Sequence, residues 1–139
     1  VEPVINHCLH NVNQVILPRM KTDLVDMMQA VIDDRLDQMN IEWSQDACVG
    51  VVIASGGYPA SYQTGRPISG LGDVDSDIMV FHAGTKAVPG GEVVTSGGRV
   101  LTVVATGKTV AEAREKVYQN ITRLHFTGSH YRRDIAEAK

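Results

Sequence analysis

The strongest constraint on the fold is residues 99–124, where an apolar run passes directly into an amphipathic helical pattern. The run "RVLTVVATG" has the length and the β-branched content of a buried strand. Thr109 and Glu112 follow at the spacing of a capping box, in which each side chain satisfies a backbone N–H at a helix start. The segment therefore predicts a strand joined to a helix over 109–124. The predicted buried stripe of that helix is Ala113, Val117, Ile121 and Leu124.

A further helix is predicted at about 21–39, where apolar residues again recur at helical spacing. Pro18 lies ahead of its start, and Asp23 falls in its first turn, where a negative charge suits the helix dipole. The apolar positions are Leu24, Met27, Met28, Val31, Ile32, Leu36 and Met39.

Short apolar runs separated by segments rich in Gly, Pro and Asp predict several strands. The predicted elements are strands at 47–55 and 78–84, a loop at 56–77 with a short strand near 67–69, and a turn at 84–91. Residues 92–107 indicate two strands that meet at Gly97 and Gly98, which predicts a β-hairpin.

The composition excludes several classes of protein. The chain has 139 residues, which suits one domain, or one small domain plus a fragment of a second. Its net charge of −3 offers no basic field for nucleic acid. It has no run of about 18 apolar residues to span a membrane, and its first residues lack a signal peptide. Cys8 and Cys48 do not form a disulfide framework, so a cytoplasmic location is expected. A start at Val1 is compatible with a fragment of a longer protein.

Gly107, Lys108 and Thr109 match the last three letters of a phosphate-binding P-loop, but the rest of that motif is missing. A P-loop needs a further glycine upstream, at the position that Thr102 holds here in the middle of an apolar run. Thr109 is also the first residue of the capping box. An ordinary loop and helix cap therefore explain "GKT" better than a nucleotide site does.

Asp73, Asp75 and Asp77 are spaced like the start of a calcium-binding loop. Ile78 and Gly84 stand where that loop requires glycine and glutamate, so a solvated acidic loop is expected instead.

His7, Cys8 and His10 carry donor atoms for zinc, but no second Cys/His pair stands at ligand spacing, so no metal site is assigned. Three further histidines have no motif around them and are expected at strand ends or on the surface: His82, His125 and His130.

One arrangement suits the binding of a phosphate, namely Gly97 and Gly98 followed by Arg99. Glycines let the backbone turn tightly and come close to a ligand. A guanidinium holds a phosphate through two parallel hydrogen bonds. An ordinary hairpin with a solvated arginine is the competing interpretation. The residues alone favour it, because most surface arginines bind nothing.

Five blocks in a fixed order resemble the glycinamide ribonucleotide synthetases, the phosphoribosylamine–glycine ligases of the ATP-grasp superfamily. The blocks run from Gln14 to Ile135, nearly the whole chain, and correspond to the C-terminal third of those enzymes. Together they are far more specific than any one alone. They read "QVILPRMKTDL", "SGGYPASYQTG", "FHAGTK", "VVTSGGRVLTVVATGKTVAEAREKVYQNI" and "YRRDI".

The resemblance implies an α+β fold in two parts. Residues 1–45 correspond to the C-terminal end of the ATP-grasp domain, including its last helix. Residues 46–139 correspond to the family's C-terminal domain, a small, mainly antiparallel β domain with a flanking helix.

The resemblance also implies an activity. These ligases join glycine to 5-phosphoribosylamine with ATP and Mg²⁺ through glycyl phosphate, in purine biosynthesis. The implied partners are these small molecules and the N-terminal and ATP-grasp domains of the same enzyme, with no nucleic acid and no membrane. The ligands for ATP and Mg²⁺ are expected in those other domains, so this chain alone is expected to be inactive.

The resemblance assigns a role to one set of residues. In related ATP-grasp enzymes of purine synthesis, an arginine-bearing turn in the corresponding domain holds the substrate phosphate. By this analogy, Gly97, Gly98 and Arg99 are expected to bind the substrate phosphate. Catalytic residues stay unassigned.

Residues 5–13 depart from the family. The family carries an Arg-Phe-Gly-Asp-Pro-Glu motif there, preceded by a Glu and an Asn that ligate Mg²⁺. Glu2 and Asn6 are of similar type but off register, so no metal ligand is assigned. Either this stretch is aberrant or this copy has lost the metal site. The alternative function is a non-catalytic phosphosugar-binding or assembly module of the same fold.

Overall fold

A computed structural model describes residues 12–137 and places an antiparallel sheet at the centre of the molecule. The middle strand of that sheet is the apolar run of the sequence, with one strand on each side. The elements are α1 (Val12–Ile16), α2 (Leu24–Ile32), β1 (Ala47–Ala54), β2 (Met79–His82), β3 (Thr85–Ala87), β4 (Val93–Thr95), β5 (Arg99–Gly107) and α3 (Val110–Ile121).

The central sheet has the order β1-β5-β2, and both pairings are antiparallel. Strand β1 runs alongside β5 from the Ala47–Gly107 pair to the Ile53–Leu101 pair, where the register shifts. Strand β5 is buried along nearly its whole length, on both faces. A continuous apolar run needs cover on each side, which explains its central position.

Helix α3 covers one face of the sheet and closes the hydrophobic core. The predicted helix at 109–124 ends earlier, at Ile121, but all four residues of its predicted stripe are buried, with Leu124 three residues beyond the helix end. They pack against the side chains that β1 and β5 present on the same face. The core includes Val49, Val51, Ile53, Leu101, Val103, Ala105, Ala113, Val117, Ile121 and Leu124.

Strands β3 and β4 form a separate two-stranded antiparallel sheet. The prediction that residues 84–91 are only a turn is therefore wrong, because β3 lies within them. The turn itself spans 88–92, where the Val88 amide donates to the Glu92 carbonyl at 2.9 Å.

The predicted hairpin at Gly97 and Gly98 is also wrong. Strand β4 pairs with β3, whereas β5 pairs with β1 and β2. A two-residue hairpin turn requires a positive φ at one or both of its central residues. Neither Gly97 nor Gly98 has one. The chain therefore leaves one sheet at this point and enters the other.

The predicted loop at 56–77 is confirmed, and its short strand near 67–69 is reduced to two isolated bridges. Pro67 pairs with Val94, and Ser69 pairs with His125. These bridges fix the loop to β4 and to the segment after α3.

The predicted helix at 21–39 is wrong in length, since α2 ends at Ile32. Asp34 has a φ of 53°, a left-handed conformation that aspartate tolerates and that ends the helix. A short 3₁₀ turn, Leu36–Gln38, follows. Asp23 lies at the N-cap rather than in the first turn, and its carboxylate accepts the Val25 N–H at 2.7 Å.

The two helices before β1 differ in how closely they pack on the rest of the chain. Helix α1 lies on β1, so close that a Cβ on Gly50 would be 2.8 Å from Cγ1 of Val15. Helix α2 has Ala30 as its one buried residue. Its large apolar side chains face outward, with Val25 70% and Ile32 75% exposed.

The predicted fold class is confirmed: the described chain is an α+β structure with antiparallel sheets and a helix packed on one face. Within residues 12–137, none of the helices has the length and apolar character needed to cross a membrane.

Candidate functional site

The glycine–arginine turn (Gly97, Gly98 and Arg99) lies where β5 begins and is held from one side by Ser55. The Ser55 hydroxyl donates to the Gly97 carbonyl at 2.9 Å, and the Ser55 amide donates to the Gly98 carbonyl at 2.8 Å. Ser55 is buried, directly after β1. Two hydrogen bonds from one buried residue therefore fix both glycine carbonyls.

Two tyrosine rings cover Gly98. A Cβ on Gly98 would lie 2.1 Å from Cδ2 of Tyr58 and 3.0 Å from Cε1 of Tyr62. The two rings pack on each other in a tilted arrangement, with centroids 6.0 Å apart. Glycine is needed here because the rings leave no room for a side chain, rather than because the backbone adopts a special φ.

Gly97 packs on the backbone of the neighbouring turn. A Cβ on Gly97 would be 3.0 Å from the Gly84 Cα, and the Gly84 amide donates to the Arg99 carbonyl at 2.8 Å. The glycine–arginine turn is thus enclosed by Ser55, by Tyr58 and by Gly84. Ser55 and Tyr58 belong to the segment that follows β1, and Gly84 follows β2, so this support comes from two separate parts of the chain.

Arg99 is half-buried at the first position of β5. Its guanidinium makes no hydrogen bond or ion pair with any residue that the structure describes. By contrast, Arg123 pairs with Asp75 at 2.6 Å, and Arg114 donates to the carbonyls of Arg133 and Ile135. The donors of Arg99 are therefore available to an anionic ligand from outside the chain.

An open depression of about 330 Å³ lies beside the tyrosine-bearing loop and is lined by Gly56, Ser61, Tyr62 and Gln63. A larger one, about 850 Å³, is lined only by residues of α3 and the two that follow it. The smaller depression lies next to the glycine–arginine turn, because Tyr62 lines it and also covers Gly98, but the turn itself does not line it. The Arg114 and Tyr118 side chains of the larger one are engaged with the C-terminal segment.

Lys108 and Thr109 are occupied by local contacts. The Thr109 hydroxyl accepts the Glu112 N–H at 3.1 Å, which confirms the predicted cap. The Glu112 carboxylate accepts the N–H of Lys108 at 2.9 Å, one residue earlier than a capping box requires. The Lys108 ammonium pairs with Asp46 at 2.9 Å, and this bond raises its pKa. Both side chains are therefore engaged in contacts within the chain.

The acidic loop is exposed, as predicted, and two of its three carboxylates bind side chains of α3 and of Arg123 just after it. Asp75 is bound by Arg123 and Asn120, and the bond from Arg123 is the main cause that lowers the pKa of its carboxyl. Asp77 pairs with Lys116 at 3.0 Å. The loop therefore serves to hold α3 to the chain that precedes β2.

The histidines lie where the sequence predicts them. His82 ends β2, and all three are exposed: His82, His125 and His130. The residues considered for zinc, His7, Cys8 and His10, lie outside the described residues, as do Glu2 and Asn6.

The sequence did not point to Ser55, Tyr58 or Tyr62 as parts of this site. Ser55 and Gly97 are 42 positions apart, and no periodic pattern links them. The only signal was that "SGGYPASY" and "TSGGR" both belong to the blocks that carry the family resemblance.

Comparison with known proteins gives consistent matches. Residues 48–138 match a family model described as "Phosphoribosylglycinamide synthetase, C domain". The phosphoribosylamine–glycine ligase of Salmonella typhimurium is 50% identical over 123 residues, which is 88% of this chain and 29% of that protein. The enzyme of the same name from Halalkalibacterium halodurans is 44% identical over 122 residues, 88% of this chain and 28% of that protein.

A solved structure agrees with these matches. The crystal structure of phosphoribosylamine–glycine ligase from Thermotoga maritima aligns with a TM-score of 0.61 at 34% identity. The alignment covers 77% of this chain and 27% of that one. The chain thus spans less than a third of the length of the curated relatives that it matches. The family model covers most of the chain, and the chain belongs to the phosphoribosylglycinamide synthetase family, whose C domain it contains.

Proposed function

We propose that this chain is the C-terminal part of a phosphoribosylamine–glycine ligase. Such an enzyme joins glycine to 5-phosphoribosylamine, converts ATP to ADP and phosphate, and supplies glycinamide ribonucleotide to purine biosynthesis in the cytoplasm. The family membership and the names of the relatives support this reading over a non-catalytic phosphosugar-binding or assembly module. The chain alone is expected to be inactive, because the rest of the enzyme carries the nucleotide site.

The role of this chain is to hold the phosphate of phosphoribosylamine at the glycine–arginine turn. The proposal rests on Arg99, a half-buried residue whose guanidinium has no partner among the described residues. A guanidinium fits two phosphate oxygens at once, and hydrogen bonds to charged groups are the stronger kind. Gly97 and Gly98 allow the backbone to approach the same phosphate closely.

The reaction explains why the phosphate needs a fixed anchor. The amine of phosphoribosylamine must approach the acyl carbon of glycyl phosphate along a defined direction. Holding the far end of the sugar on a rigid strand places the amine without relying on contacts at the reacting atoms. Arg99 stands on β5, the strand buried on both faces, so its backbone position is well fixed.

ATP and Mg²⁺ take part in the proposed reaction, and their ligands are proposed to lie in the other domains of the enzyme. Within residues 12–137, no three His, Cys, Asp or Glu side chains come together in a way that could hold a metal ion. The exposed carboxylates of Asp75 and Asp77 are already bound by Arg123 and Lys116. The described residues do not fit a magnesium site, and no step is assigned to the metal here.

Residues 1–45 are proposed to be the end of the ATP-grasp domain, with 46–139 as the C-terminal domain. The exposed apolar face of α2 supports this division, because a patch of this kind usually marks a contact surface. The proposed partners of that face are the N-terminal and ATP-grasp domains of the same enzyme.

A chimaeric ligase tests the proposed function. The matching segment of the Salmonella typhimurium ligase is replaced by residues 14–137 of this chain, and glycinamide ribonucleotide is assayed with ATP, glycine and phosphoribosylamine. We expect product that depends on all three substrates. The matched control is the Salmonella enzyme without its C-terminal segment. A folded chimaera that binds ATP but makes no product would favour the non-catalytic module.

A further inference from the structure

Ser55 is a buried polar residue whose two donors, the hydroxyl and the amide, both bind the glycine–arginine turn, while its carbonyl accepts the Tyr58 N–H at 3.1 Å. The residue is 3% exposed, although serine is usually found at the surface. Its hydroxyl and its amide bind the carbonyls of Gly97 and Gly98. The neighbouring Ala54 is fixed as well, by a bridge with His130. Ser55 is thus a rigid support for the turn.

These bonds determine where the next amide points. In a trans peptide the carbonyl and the following N–H lie in one plane and point in opposite directions. Because Ser55 holds the Gly97 carbonyl, the N–H of Gly98 is directed away from Ser55. The hydroxyl of Ser55 therefore orients a backbone donor that it does not itself touch.

The Gly98 amide has no acceptor among the residues that the structure describes. Gly98 is buried, and buried backbone N–H groups are almost always paired. Backbone N–H groups at tight turns are common partners of phosphate oxygens. An unpaired donor directly before the unpaired guanidinium of Arg99 is the combination that an anion site requires.

We propose that Ser55 is a positioning residue of the phosphate site, which holds the turn so that the Gly98 N–H and the Arg99 guanidinium serve the same phosphate. This inference rests on the proposed function. Tyr58 assists, because its ring packs on Gly98 and restricts movement of the turn. Ser55 touches no substrate in this arrangement.

Ser55→Ala removes the hydroxyl and leaves the backbone bond in place. Ser69→Ala is the matched control, because the Ser69 hydroxyl also donates to a distant carbonyl, that of His125 at 3.3 Å. Both variants lose one hydrogen bond from serine to the backbone, but only Ser55 is bonded to the turn. Thermal melting first establishes that each variant is folded.

The probe is ribose 5-phosphate, with ribose as the comparison that lacks the phosphate. Its binding to the 139-residue chain is followed by calorimetry and by the ¹H–¹⁵N signal of the Gly98 amide. In the unaltered chain we expect ribose 5-phosphate, and not ribose, to shift this signal. Ser55→Ala should weaken binding about fivefold and abolish the shift, since a neutral hydrogen bond has roughly this worth. Ser69→Ala should match the unaltered chain.

The outcomes separate the two proposals. If Arg99→Ala loses binding while Ser55→Ala retains full affinity and the Gly98 shift, the phosphate site stands and the role of Ser55 is wrong. If Ser55→Ala does not fold, the unaltered chain decides: binding that leaves the Gly98 signal unmoved overturns the inference. If ribose 5-phosphate does not bind the unaltered chain, the phosphate site fails and the role of Ser55 fails with it.

Discussion

Two regions of the molecule differ in how far their apolar side chains are buried. In the half formed by the central sheet and α3, Ile121 is 1% exposed and β5 is buried along nearly its whole length. In the segment before β1, α2 presents Val25, Val31 and Ile32 to the surface. The apolar side chains of the first region form its own core, whereas those of α2 stay exposed. This difference is the basis of the proposed division at residue 45, in which the face of α2 contacts another domain.

The largest expected effect is a difference in unfolding free energy between a substitution in the core and one on the exposed face of α2. Ile121→Ala opens a cavity in the core and should lower the free energy of unfolding by about 2–5 kcal/mol. Ile32→Ala removes an exposed side chain and should change it by less than about 0.5 kcal/mol. Urea denaturation of both variants measures the difference. Equal losses would mean that α2 is packed within this chain.

Cys48 tests the contact between the two regions. It lies on β1, on which α1 packs, and burial raises the pKa of its thiol from 9.0 to about 11, opposed by the charge of Arg19. Because the thiolate is the reactive form, alkylation should be slow at pH 9. Since the folded pKa is the higher, the thiol's contribution to stability is complete below pH 9 and is lost as the pH rises towards 11.

Removing residues 1–20 takes away Cys8, α1 and Arg19 together. Alkylation of Cys48 at pH 9 should then become faster, by up to about 50-fold if the pKa returns to its ordinary value. A Cys8→Ser variant of the whole chain supplies the reference rate. Equal rates in the two proteins would contradict a covering role for the first segment.

The two helix caps should differ in their effect on the whole fold. Thr109→Ala removes the acceptor of the Glu112 N–H at the start of α3 and should cost about 0.5–2 kcal/mol in stability. Asp23→Ala removes the equivalent acceptor at α2, a helix with one buried residue, so global unfolding should change less. Thermal melting compares them. A melting curve unchanged by Thr109→Ala would contradict a stabilising role for the Thr109 cap.

The sequence was most informative where structure depends on near neighbours. The strand at 99–107 and the cap at Thr109 follow from local pattern, and the buried stripe of α3 follows from helical spacing. Strand pairing depends on residues far apart, and it was here that the hairpin prediction failed. Gly97 and Gly98 are explained by what packs on them, the ring of Tyr58 and the backbone of Gly84. No sequence pattern carries that information.

The length of α2 was overestimated for a related reason. Its apolar spacing continues to Met39, but Asp34 adopts a left-handed conformation and ends the helix. For the candidate site, Arg99 and its glycines were identified from residue type and family resemblance. Ser55 was missed because its proposed role depends on a contact between distant segments.

We propose that "TSGGRVLTVVATGKT" binds the substrate phosphate at its start, through Arg99, and not at its "GKT". In the chimaeric ligase, Arg99→Ala should weaken the binding of phosphoribosylamine by about 1.5–3 kcal/mol, the usual worth of a hydrogen bond to a charged group. The KM for phosphoribosylamine should rise about tenfold or more, and the KM for ATP should barely move. Lys108→Ala is the matched control and should leave both unchanged, because Lys108 is paired with Asp46. A raised KM for ATP in Lys108→Ala, together with a silent Arg99→Ala, would contradict the account.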